Sequence, residues 1–310
     1  MDSIPAGGAE LQAPCPVQVY TAARIVSPGI PHALGALLLY GLADFIYKRA
    51  AAAGAPPHQF LMVQTWFFNA LALLYGVVSG TLAFSRGALW GAVAGVLVVI
   101  GYYNFAWSLR HGAVSTNATI FRLSFVVTTA LAVLVLGEAV NAPKIAGVAL
   151  ALAAVWLLLA APAAGSAEAN RERAASLVRV LVATIAVGFA SFTYKLGLRQ
   201  GAVPIALVVA QGAVALTLFT AFAVHVDRGV RASRAALMHA PVSAVLLVGA
   251  FTLLAKGLER GEASVVVPIA QMGFIVTALL GFLLLREPLT PRKLAGLAVA
   301  VLALTSLAWS

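Results

Sequence analysis

Residues 40–64, YGLADFIYKRAAAAGAPPHQFLMVQ, and residues 187–211, VGFASFTYKLGLRQGAVPIALVVAQ, align without a gap and decide the fold. Nine of the 25 positions are identical, among them the pairs Gly41/Gly188, Tyr47/Tyr194, Lys48/Lys195, Pro57/Pro204 and Gln64/Gln211. Further along, at an offset two residues larger, Gly112/Gly261, Ser115/Ser264, Phe125/Phe274, Glu138/Glu287, Lys144/Lys293 and Gly147/Gly296 correspond. Apolar letters align by chance in any hydrophobic chain. Lys, Glu, Gln and Pro at a nearly constant offset do not, so the chain is a tandem duplication.

Outward from this pair the sequence is a series of apolar runs. Of the 310 residues, 62% are hydrophobic and only 10% charged, against about a quarter charged in soluble domains, so most of the chain is expected to meet lipid. Runs of about twenty apolar residues fit a hydrocarbon core as helices, since an open strand edge finds no partner there. The pattern predicts an all-α membrane protein of ten transmembrane helices, near 30–49, 60–79, 87–108, 114–136, 143–161, 177–196, 205–226, 237–258, 264–285 and 291–308. Residues 1–29 read as a mobile N-terminal tail without the apolar core of a cleaved signal. The first repeat is set at 30–162, a linker at 163–176 (AGSAEANRERAAS lies here) and the second repeat at 177–310. Five helices per copy is an odd number, so the second copy enters the membrane in the opposite sense. Inverted repeats of this kind build many secondary transporters and supply two conformations by exchanging the roles of the halves.

Two glutamate-bearing turns at matching places, LVLGEAVNAPKIAGVALALAAV (134–155) and LLLREPLTPRKLAGLAVAVLAL (283–304), each join the fourth helix of a repeat to the fifth. With these turns, the chain over residues 30–310 resembles the EamA-type family of the drug/metabolite transporter superfamily. Arg286 stands where the first turn has Gly137, a mild departure. The resemblance implies ten helices in two repeats and transport of small metabolites, the family handling amino acids, drugs, nucleosides and other solutes. It also implies a multi-pass location in the plasma (inner) membrane.

The residues that carry chemistry are the polar groups inside spans. Arg122 lies near the middle of the fourth helix, where a charge costs several kcal/mol unless it faces protein or water. Ser115, Thr119 and Thr129 share its face. A guanidinium there is suited to a carboxylate or phosphate, and its repeat mate is Gln271. Arg122, Gln271, Thr119, Asn104 and Trp107 form the expected substrate site; the competing reading packs Arg122 against backbone carbonyls or Asp44. Asp44, with Lys48 four residues on, is expected either as an ion pair along one helix face or as an ion-coupling carboxylate. Lys195 and Lys48 sit near helix ends, where snorkelling is cheap; the functional alternative is one attractive cation in each vestibule. Lys256 reads as a membrane-surface cation, and Glu138 beside Lys144 and Glu287 beside Lys293 as structural turns. Gly147/Ala151 and Gly296/Ala300 on helices 5 and 10 suggest scaffold or a homodimer contact.

No cofactor or metal is expected. The single cysteine, Cys15, excludes an intramolecular disulfide, and no Cys/His grouping has ligand spacing. The net charge of +10 marks loop topology and not nucleic-acid binding, the partners being a small-molecule substrate and the bilayer. The five histidines fall at helix ends or loops and no catalytic constellation appears, so enzymatic activity is not expected. The sequence reading is thus a permease, expected as an exporter, for amino acids or other anionic or zwitterionic solutes by alternating access. A passive channel or facilitator stands as the alternative. Orientation divides the criteria: the family resemblance implies cytoplasmic termini, whereas Arg171, Arg173, Arg179, Arg228, Arg231, Arg234, Arg292 and Lys293 would then lie outside, against the positive-inside rule.

Overall fold

The computed structural model describes residues 27–111, 117, 120–158, 167–285 and 290–310, and among these every regular element is helical. The helices are α1 (Ile30–Ala52), α2 (Pro57–Val78), α3 (Leu89–His111), α4 (Ser124–Leu136), α5 (Ala142–Leu158), α6 (Ala167–Arg199), α7 (Pro204–Asp227), α8 (Arg234–Arg260), α9 (Ala263–Gln271), α10 (Phe274–Leu285) and α11 (Pro291–Ala308). Among the described residues eight stretches are long and apolar enough to cross a membrane, and Ile120–Leu136 and Ala142–Leu157 are shorter apolar helices. Leu134, Val135, Trp156, Leu283 and Val78 are exposed on the outside of the bundle while the interior is rich in buried alanine. That distribution belongs to a chain whose surroundings are lipid, where small residues let helix backbones approach. Proline in the first turn starts α1, α2, α7 and α11, where its missing N–H costs nothing.

The two repeats interleave. The helix α1 packs on α8, α9 and α10 of the second repeat, and its mate α6 packs on α3 and α4 of the first, while α2 meets α7 and α5 meets α11. The start of α1 and the end of α6 reach the same corner between α8 and α9: Gly29 lies against Gly257 and Gly261, and Lys195 donates to Leu258 O and Gly261 O. Mates therefore run in opposite senses. This shared corner marks one end of the bundle, called here the near end.

Helices expected to be continuous at 114–136 and 264–285 are broken, and the breaks correspond. Leu123 N donates to Ile120 O at 2.9 Å and Val126 N to Leu123 O at 2.9 Å; one repeat on, Met272 N donates to Ile269 O at 3.1 Å and Ile275 N to Met272 O at 3.0 Å. Bonds to the third residue back tighten the turn and change the helix direction. The cause lies across the repeat boundary. A Cβ on Gly188 would stand 2.7 Å from Ser124 O, and Gly41 lies against the Gly273 backbone in the same way, so α6 and α1 press backbone to backbone on the two breaks. Thr128 Oγ1 donates to Gly188 O at 2.8 Å and its mate Thr277 Oγ1 to Gly41 O at 3.0 Å.

Two further expectations change. The proposed linker 163–176 is helical from Ala167, because α6 continues some way before its apolar stretch. There Ser176 and Asn117 join α6 to the Ser108 carbonyl of α3. The small residues of α5 and α11, the fifth and tenth expected spans, face one another inside the chain: Gly147 lies on Leu307, Ala151 and Ala300 are fully buried, and Ser306 Oγ donates to Pro143 O at 2.8 Å. They serve as scaffold there and are not free for a dimer.

The turn glutamate Glu138 accepts from Ala263 N and Ser264 N, both at 2.8 Å, and so caps the free amides that begin α9. Beside it, Lys144 donates to Ala139 O and pairs with Glu262. Glu287 and Lys293 repeat the motif in sequence, with Glu287 outside the described residues. Replacing Glu138 by Ala leaves two amides buried without a partner and is expected to lower stability by about 2 kcal/mol, with Gln recovering part. Thermal unfolding of the purified variants in detergent measures it; equal melting temperatures for wild type and Glu138→Ala would remove the cap from the stability account.

Candidate functional site

At the breaks the chain places its buried charge. Arg122 closes the last turn before one break and Gln271 the last turn before the other, and Arg122 Nη1 donates to Gln271 Oε1 at 2.7 Å. The other guanidinium nitrogen, Nη2, forms an ion pair with Asp44 Oδ2, which α1 delivers one turn after Gly41. Arg122 is 2% exposed. Its guanidinium carbon lies 5.7 Å from the centre of the Tyr40 ring and 5.5 Å from that of Phe121, close enough for cation–π attraction. A buried charge survives only with such partners. The Nε atom of Arg122 and the hydroxyls of Ser124 and Thr129 are buried without a hydrogen bond.

Around the pair stands an aromatic cage. Phe121 stacks on Phe105 at 4.0 Å, Tyr102 meets Phe121 edge-on at 5.7 Å, and Tyr40 and Phe68 meet Phe251 edge-on. The cage is tightly filled. A cavity of about 10 Å³ beside Gln271 is lined by Tyr40, Ser191, Tyr194 and Gln211, and one of about 30 Å³ lies between Gln64, Tyr102 and Phe251. Each holds roughly a water molecule, whereas small-molecule pockets occupy about 300 Å³ or more. Binding a metabolite at this centre requires the bundle to open.

The two repeats differ in how they close. Toward the far end, Tyr47 donates to Gln64 Oε1 at 2.6 Å, and Gln64 Nε2 donates to Ser243 Oγ at 2.7 Å. In the second repeat the mates Tyr194 and Gln211 face the near half, and Tyr194 Oη and Gln211 Oε1 are buried with no hydrogen-bond partner. The far end is also latched by a polar cluster. His58 Nε2 lies 3.0 Å from Asp227 Oδ1, Gln59 Nε2 donates to Asp227 Oδ2 at 2.8 Å, and Ser233 N donates to Gln59 Oε1 at 2.8 Å. The mates of His58 and Gln59 are Ile205 and Ala206, which cannot make these bonds.

The remaining expected site residues fall elsewhere. Asp44, expected with Lys48 or as the competing partner of Arg122, is held by Arg122, because the packing of α1 on the broken helices brings the guanidinium to it. Asn104 donates to Ile100 O at 2.8 Å and accepts from Arg179 at 3.1 Å, and Trp107 lies 4.3 Å under the same guanidinium. The α3–α6 packing makes these a separate cluster from Arg122. Lys195 closes the carbonyl end of α8, with both bonds at 2.6 Å, and so is a helix cap instead of a vestibule cation. Thr119 lies outside the described residues. Sequence reasoning missed Tyr40, Tyr102 and the His58–Asp227 cluster. The aromatic residues give no signal in an apolar chain, and the cluster joins residues far apart in sequence.

The fold and its centre define a multi-pass integral membrane protein made of two interleaved, inverted repeats that meet at a buried polar core. The model of the EamA-like transporter family matches residues 27–160 and again residues 175–309. The chain belongs to this family of membrane transporters. An uncharacterised protein of Methanocaldococcus jannaschii is 36% identical over 74 residues, covering 24% of this chain and 54% of its own length, so the chain spans about half of that curated relative. A protein of known crystal structure aligns with a TM-score of 0.74 at 14% identity, over 91% of this chain and 98% of its own, a likeness of fold.

Charge balance sets a test of the centre. Asp44→Asn leaves Arg122 buried without its counter-ion and is expected to cost about 3 kcal/mol, and Arg122→Gln leaves Asp44 in the same position. The double variant should be more stable than either single one, a coupling that a double-mutant cycle of thermal stabilities in detergent reads directly. Additive losses would mean the two residues do not act as a pair.

Proposed function

We propose that this chain is a ten-span secondary transporter of the plasma (inner) membrane, a permease working as an exporter of small zwitterionic or anionic metabolites by alternating access. The observation that carries this reading is the Arg122–Asp44 pair held with Gln271 at matched helix breaks between the repeats. Broken helices at the repeat interface are the usual place for substrate in inverted-repeat transporters. The pair also ranks substrates. Its net charge is zero, so a zwitterion can part Arg122 from Asp44 and give each a new partner: carboxylate to guanidinium, ammonium to carboxylate. A plain anion satisfies Arg122 and leaves Asp44 unpaired, and a plain cation does the reverse. In the desolvated centre an unpaired charge is expensive, so zwitterions should bind best.

A metabolite panel scanned by thermal shift tests the reading, because a ligand present at about a hundred times its Kd stabilises the folded state by about 2.7 kcal/mol. Zwitterions are expected to raise the melting temperature of the wild type and to leave Arg122→Gln unshifted. In proteoliposomes the same ligand should show saturable counterflow that Arg122→Gln loses; flux that does not saturate would support a passive facilitator instead. Asp44→Asn is expected to abolish proton dependence of that flux. An unchanged pH profile would leave Asp44 as a structural counter-ion alone.

A further inference from the structure

At the near end a groove of about 610 Å³ runs between α2 and α8. Its walls include Leu71, Leu74 and Val248, and its polar groups are Tyr75, Ser79, Thr252 and Lys256. Leu74 is 60% exposed, so the groove faces outward on the apolar surface of the bundle. Lys256 Nζ lies 2.9 Å from Tyr75 Oη and 5.5 Å from the centre of that ring. Among the described residues no carboxylate lies within ion-pair distance of Lys256. Thr252, 6% exposed, stands one turn deeper on α8, and its Oγ1 has no hydrogen-bond partner.

The other repeat shows that this space is encoded by particular residues. The mates of Tyr75, Thr252 and Lys256 are Phe222, Tyr103 and Trp107 on α7 and α3. Tyr103 and Phe222 pack edge-on with ring centres 4.9 Å apart, and Trp107 lies under Arg179. Aromatic bulk fills one place; a threonine and a lysine held on Tyr75 occupy the other.

We infer that the α2–α8 groove binds one anionic phospholipid. Its acyl chains lie along the leucine and valine walls, its phosphate on Lys256 and Tyr75, and the Thr252 hydroxyl donates to an ester carbonyl of the glycerol. Four residues of helix separate Thr252 from Lys256, a rise of about 6 Å that follows a lipid from its ester level to its headgroup. A soluble anion has no use for apolar walls. In a zwitterionic lipid the phosphate is already neutralised by its own ammonium, so the uncompensated lysine favours a lipid with net negative charge.

Native mass spectrometry of the full-length purified protein, given equal amounts of phosphatidylglycerol and phosphatidylcholine, tests this. The wild type is expected to retain one phosphatidylglycerol in about fivefold preference, the worth of one lysine at a membrane surface. Lys256→Gln should bring the ratio near one, and Thr252→Tyr, which restores the bulk of Tyr103, should lower retention of both lipids. Equal retention of the two lipids by the wild type would overturn the assignment, as would a preference that survives Lys256→Gln or a groove covered by a second copy of the chain. If Thr252→Tyr does not fold, the Lys256→Gln ratio decides.

Discussion

Two glycine crossings organise this molecule. At Gly41 and Gly188 the first helix of each repeat presses its backbone on the broken helix of the other, at a distance no side chain would permit. Within lipid, association cannot draw on apolar surface leaving water, so close backbone packing and interhelical hydrogen bonds must hold the halves together. Here the threonine bonds to the two glycine carbonyls follow from the close approach. So do the tightened turns at Leu123 and Met272, and so does the arrival of Asp44 beside Arg122, since Asp44 follows Gly41 by three residues on the same helix.

Upon this symmetric frame the two copies have diverged in their polar residues. Arg122 faces Gln271, and Asp44 has Ser191 as its mate, so among the described residues the ion pair at the crossing comes from the first repeat. Tyr47 and Gln64 are bonded where Tyr194 and Gln211 are not. The apolar scaffold tolerates such divergence because it is maintained by alanine and glycine contacts that do not involve these groups. Function is free to become asymmetric while the fold stays paired.

The duplication was legible because Lys, Glu, Gln and Pro are rare in an apolar chain, so each coincidence carries weight. Arg122 and Gln271 were legible for a related reason: a charge within a span must be accommodated, and its mate indicates where. The breaks were not legible. Leu123 is an ordinary helix former, and only one of the two breaks contains a glycine, because the distortion is imposed by the neighbouring helix. The Arg122–Asp44 contact stood only as the competing reading, because the rule for residues four apart sees one helix at a time and favours Lys48, whereas this contact spans 78 residues. Asn104, Trp107 and Lys195 are polar groups in plausible places whose packing partners, Arg179 and the end of α8, are set by tertiary structure.

The latch formed by His58, Gln59, Asp227 and Ser233 has no counterpart at the other end among the described residues, since the mates of His58 and Gln59 are Ile205 and Ala206. In a protein that cycles between two arrangements, such a latch lengthens the residence time of one of them and so sets how unequally the two faces present the site. It can make the apparent affinity differ between the faces. It cannot choose the direction of net movement, because detailed balance requires the work of reopening the latch to be returned within each cycle. In the alternating-access cycle proposed above, the lopsided wiring of this duplicated frame would govern pace and sidedness, and the gradients on either side would govern where the solute goes.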